Sequence, residues 1–141
     1  MCLDKVKDTE PLDDDEWATR GVGYMVAAKV LEGPDEGRYF SFYRGARLMR
    51  RWTRDHAEGR ILSLRTDTYY PKGFHIFTDL EGLIFKYSIG DIFSTMHKGQ
   101  PTDVRAVILK VEWKDPVAVG TQHGKDVVVV RSRRILEEVI G

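Results

Sequence analysis

The chain has 141 residues, of which 42 % are apolar and 31 % charged, and 22 bases balance 22 acids. That is enough chain for one domain to bury a core without disulfides or metal, and the single cysteine, Cys2, excludes an intrachain disulfide. No apolar run is long enough to cross a bilayer as a helix, no leader pattern opens the chain, and a cytoplasmic protein is expected.

Charge is unevenly spread. Residues 1–19 hold seven acids against two bases, which leaves twenty bases against fifteen acids in 20–141. Too few apolar residues occur there to support a core, so 1–19 reads as a flexible acidic arm. The domain proper is then 20–141. Within it, Gly21–Leu31 alternates like a strand, Glu32–Gly37 (EGPDEG) carries turn chemistry, and Arg38–Tyr43 returns as an aromatic strand. Those segments predict a hairpin.

Arg44–Gly59 spaces Arg44, Arg47, Arg51 and Arg54 at helical intervals, which predicts a helix ending at Gly59. An irregular extended excursion is the alternative, because Gly45 and Thr53 are poor helix formers and no cap precedes. Arg60–Thr66 follows as a short strand. Pro71 and Gly73 mark a turn before the strand Phe74-His75-Ile76-Phe77. Thr78 stands three residues before Glu81, the spacing of a capping box, and Leu80, Leu83, Ile84 and Tyr87 continue at helical spacing. A helix is expected there, continuing or restarting over Ser88–Gly99. Val104–Trp113 alternates, Lys114-Asp115-Pro116 turns, Val117–Val119 is brief, and Asp126–Leu136 is the strongest β run. Four consecutive valines in it predict a central strand buried on both faces. The sum is an α+β domain: a mainly antiparallel sheet of five or six strands with one or two helices on one face.

Chemical motifs fail on spacing. Gly120–Asp126 (GTQHGKD) has three residues between its glycines where a phosphate loop needs four, and Asp follows its Lys. His56, His75, His97 and His123 lie 19, 22 and 26 residues apart, so no metal-ligand pair forms in sequence. No cofactor, metal or catalytic residue is assigned. His75 reads as a strand histidine able to donate one hydrogen bond. Arginines carry the remaining signal, since guanidinium forks bind phosphates and aromatic rings stack on bases. Arg131 and Arg133 are expected on one face of the last strand by alternation, with Arg44 and Arg47 beside Tyr43 and Trp52. Together with His75 these are the candidate ligand-binding residues. The set is too small and too balanced by acids for general nucleic-acid binding.

Met1-Cys2-Leu3-Asp4-Lys5, Gly23-Tyr24, Gly73-Phe74-His75-Ile76-Phe77, and Val127–Val130 before Ile135-Leu136 together resemble a group of small, mostly uncharacterised bacteriophage proteins. In size and plan the chain is also similar to phage anti-defence sponge proteins, including the Thoeris anti-defence kind. That resemblance implies binding and sequestration of a small nucleotide signal between subunits in the host cytoplasm, without turnover. A homo-oligomer is expected on the same grounds and from the apolar strands Val127–Val130 and Arg38–Tyr43. The alternative function is a protein–protein inhibitor of a host defence factor acting through the acidic arm.

Overall fold

The computed structural model describes residues 3–9, 18–41, 47–63, 65–81, 83 and 104–140. Among the described residues ten strands occur in order: β1 (Lys5–Thr9), β2 (Arg20–Val30), β3 (Tyr39–Ser41), β4 (Arg47–Leu48), β5 (Thr53–Arg54), β6 (Arg60–Leu62), β7 (Tyr69–Pro71), β8 (Phe74–Phe77), β9 (Val104–Gln122) and β10 (Lys125–Ile140). Eight of them form one antiparallel sheet, and β6 and β7 form a separate hairpin. The described residues are therefore nearly all β, which corrects the α+β expectation.

The two longest strands organise the sheet. β9 and β10 are joined by a two-residue turn, His123-Gly124, with φ of 53° and 76°. Positive φ at both positions matches the hairpin's own twist, and Gly124 takes it without strain. β2 runs along β9 from Arg20↔Lys114 to Val30↔Val104, β10 pairs β8 through Val127–Val130, and Tyr24↔Phe77 joins β8 back to β2. These contacts close a small barrel. The stretch 47–55 completes the wall: β4 pairs β3, β5 pairs β10, and the Ile135 N–H donates to the Met49 carbonyl at 3.0 Å.

Alternation sorts the side chains. Val107, Leu109, Val111 and Trp113 of β9 face inward with Met25, Ala27, Leu48, Ile76, Val128, Val130 and Ile135. Lys110, Glu112 and Lys114 take the outward positions between them, while Ile108, Ala118, Val127 and Val129 join a second cluster with Leu3, Tyr70, Phe77 and Leu83. Val127–Val130 is thus buried on both faces within one chain, between β9 and β8. Those valines give no support to the expected homo-oligomer.

Helical expectations divide three ways. Within Arg44–Gly59, residues 47–59 hold no helix: Arg47–Leu48 pairs with β3 and Thr53–Arg54 with β10, and the rest is irregular. In the segment after Phe77, Leu80, Glu81 and Leu83 are the described residues with helical backbone, and 82 and 84–103 lie outside the described residues. The cap there differs too: Asp79 Oδ1 accepts from Glu81 N–H at 2.9 Å, while Thr78 turns to the Asp126 carbonyl.

Of the acidic arm, residues 3–9 belong to the sheet. Lys5–Thr9 pairs with Ala118–Thr121, and Leu3 is fully buried. Residues 10–17 lie outside the described residues.

Candidate anion-binding cleft

The turn 32–37 and the strands around it build an open cleft of about 630 Å³, lined by Gly37, Arg38, Tyr39, Arg47, Leu48, Met49, Arg50, Arg51 and Ile135. The turn is held by Gly37 N–H to the Val30 carbonyl at 2.8 Å and Glu36 N–H to the Gly33 carbonyl at 3.1 Å. Gly33 and Gly37 take φ of 92° and 82°, which a residue with a Cβ rarely adopts. β3 then presents Tyr39, β4 presents Arg47 and Leu48, and the chain continues with Met49, Arg50 and Arg51.

Four guanidinium groups therefore surround an apolar floor of Leu48, Met49 and Ile135. Two are engaged: Arg38 pairs with Asp35 at 2.7 Å, and Arg50 Nη1 donates to the Leu136 carbonyl at 2.9 Å. Arg47 and Arg51 are exposed and have no ion-pair or hydrogen-bond partner among the described residues. Charge-assisted, forked donors on an apolar floor suit a phosphate carrying an organic body. The volume lies in the range of small-molecule sites.

The other expected site residues are elsewhere. Arg131 and Arg133 do not share a face. Inward positions on β10 are Val128 and Val130, then Arg133 and Ile135, so alternation slips by one between Val130 and Arg133. Facing the slip on β9 are Asp115, with φ of 59°, and Pro116, which lacks an N–H for the ladder. Arg131 Nη1 donates to the Ala57 and Lys72 carbonyls at 2.9 and 2.6 Å, pinning two loops to β10. Arg133 is 9 % exposed inside the barrel, with its guanidinium 3.8 Å from the Phe74 ring.

Trp52 is on the outer wall rather than open to a base. Lys114, Arg134 and Arg20 lie 4.4, 5.0 and 5.6 Å from its ring. Glu112 bridges two of these cations, at 2.7 Å from Arg20 and 2.6 Å from Arg134. Those hydrogen bonds, from Arg20 first and then Arg134, hold the Glu112 carboxyl below its ordinary value. Tyr43 and Arg44 lie outside the described residues. Of the expected set, only Arg47 among the described residues lines the cleft. Arg38 and Tyr39, which follow the EGPDEG turn directly, are additional lining residues; their signal was the hairpin turn itself.

His75 serves the fold. Leu3 N–H donates to Tyr70 Oη at 2.7 Å, and the Tyr70 hydroxyl lies 3.1 Å from His75 Nε2. The hydroxyl thus links the Leu3 backbone to the His75 ring. Desolvation pushes the His75 pKa from 6.5 to about 4, partly offset by a hydrogen bond with the Gly73 backbone. A base whose folded pKa is lowered binds fewer protons folded than unfolded, so its contribution is present above pH 6.5 and is lost as pH falls towards 4. That window is worth up to about 3 kcal/mol. Denaturant unfolding of wild type and His75→Gln across it is expected to show the slope only in wild type; equal slopes would assign the loss to other groups.

Among the described residues no cluster of His, Cys, Asp or Glu is placed to hold a metal ion. No protein-family model, no curated protein and no solved structure matches the chain.

Proposed function

We propose that the protein binds a small phosphorylated ligand, a nucleotide signal, in the arginine cleft, and acts by holding that ligand rather than converting it. The carrying observation is the pair Arg47 and Arg51, exposed and without a partner among the described residues, beside Arg38 and Arg50 over an apolar floor. Sequestration of the kind phage sponge proteins perform needs only this: donors for phosphate, a wall for the organic part, and more sites than signal. A host defence receptor is the competitor for the bound molecule in this reading.

The inhibitor alternative draws less support, because the described part of the acidic arm is committed to the sheet. Lys7 pairs with Asp126 at 2.8 Å, and Asp4 Oδ2 accepts from His123 N–H at 2.7 Å.

Calorimetry against cyclic dinucleotides, cyclic trinucleotides, cyclic ADP-ribose isomers and pyrophosphate tests the proposal. Saturable binding that weakens with added salt is expected for at least one nucleotide, with the ligand recovered chemically intact after prolonged incubation. Conversion of the ligand would refute sequestration, and silence across the panel would refute the nucleotide site. Light scattering with and without ligand then decides whether the expected homo-oligomer forms.

A further inference from the structure

A second place in the molecule lacks an acceptor. Arg133 of β10 stands directly opposite Trp113 of β9 and, on its other side, opposite Thr53 of β5. Residues directly opposite in antiparallel strands project to the same side, so all three side chains enter the barrel in one transverse row. Trp113 packs over Gly21, whose hydrogen occupies the space where a Cβ would be 2.6 Å from the indole.

Each member of the row is short of a partner. Trp113 Nε1 and Thr53 Oγ1 are buried without a hydrogen bond. The contacts of the Arg133 guanidinium are the Phe74 ring at 3.8 Å and the Met25 sulfur at 3.6 Å from Nη1, and no carboxylate of the described residues reaches ion-pair distance. Asp55 acts on it only through space, and burial lowers its pKa to about 10, so the group stays charged at neutral pH. A buried cation held only by a thioether sulfur and an aromatic face, with no counter-ion among the described residues, is costly, and native interiors seldom leave one so. Indole N–H and guanidinium are donors only, and a hydroxyl has a proton to give. The row thus offers three kinds of donor and one positive charge, and lacks a negative acceptor.

We propose that the barrel interior binds a small monovalent anion, of halide or nitrate size, between Arg133, Trp113 and Thr53. This site is independent of the arginine cleft. Leu48 and Ile135 belong both to the inner core and to the floor of the cleft, and none of Arg133, Trp113 and Thr53 lines the cleft. A phosphorylated ligand would be held in the open cleft, and the interior row would take only a small, desolvated anion. Binding to the folded chain alone makes the anion a stabiliser.

The test exchanges gluconate for chloride at constant ionic strength, with full-length protein. Wild type is expected to melt several degrees higher in chloride, and the Trp113 indole N–H resonance, assigned with Trp113→Phe, is expected to shift saturably. Arg133→Met keeps the volume and removes the charge; it is expected to show no chloride-dependent rise and to exceed wild type in gluconate. Should that variant fail to fold, the indole titration of wild type and Thr53→Val decides, with weaker chloride affinity expected in the variant. An indole resonance unmoved by chloride, or an equal rise in wild type and Arg133→Met, would show that no anion binds the row.

Discussion

Removal of residues 1–9 is expected to lower the unfolding free energy by several kcal/mol, and Leu3→Ala alone by about 2–5 kcal/mol. Leu3 is fully buried against Tyr70, Leu83 and the outer faces of β9 and β10. Its N–H donates to Tyr70 Oη, Asp4 N–H donates to the Thr121 carbonyl at 2.9 Å, and Arg65 N–H donates to the Asp4 carbonyl at 2.9 Å. Deletion would uncover that apolar face and leave the Tyr70 hydroxyl with one partner fewer. Space for the strand is already reserved on β9: a Cβ on Gly120 would collide with the Lys5 carbonyl oxygen and lie 3.0 Å from Leu3 Cδ1. Denaturant unfolding of the truncated chain reads the effect directly. An unchanged midpoint and slope would mean that β1 adds nothing to the fold.

Gly23→Ala is the second large effect, expected at about 1–3 kcal/mol or more. The barrel closes where β8 meets β2, through the single register pair Tyr24↔Phe77. A Cβ on Gly23 would collide with Ile76 Cγ2 and lie 2.6 Å from the Phe77 carbonyl oxygen. Backbone cannot yield as a side-chain tip does, so β8 would have to move off β2 and take Ile76 out of the inner core. Val22, the neighbour on the same strand, is 44 % exposed, and Val22→Ala is expected to change stability by no more than about 0.5 kcal/mol. Similar losses in the two variants would contradict closure at this position.

Strands were the legible part of this chain. Alternation in Gly21–Leu31 and Val104–Trp113, the EGPDEG turn and the four valines each located a strand that the fold contains. Helical periodicity misled in Arg44–Gly59. Arg47, Arg51 and Arg54 recur at three to four residues, yet Arg47 lines the cleft while Arg54 pairs with Asp115 at 2.9 Å. Neighbouring strands offered that backbone cross-chain partners, and these outweighed local spacing. The Arg131–Arg133 pairing failed for a different reason. A strand's alternation holds only while its ladder is regular, and the irregularity lies on the neighbouring strand at Asp115-Pro116, where a turn was expected. Of the site, the arginine-rich insert was visible. Its convergence with Arg38 across the β3–β4 pair was not, because it depends on register rather than on sequence distance.

Arg47 and Arg51 are the residues on which ligand binding in the cleft depends. Each charge-assisted contact to phosphate is worth about 1.5–3 kcal/mol, or roughly a tenfold or greater change in affinity. Calorimetric titration of the tightest-binding nucleotide into wild type and into Arg47→Ala/Arg51→Ala is therefore the most direct measurement. Affinity is expected to fall by about a hundredfold or more in the double variant, with its melting temperature close to that of wild type because both side chains are exposed. Undiminished binding by a folded double variant would contradict the cleft as the ligand site.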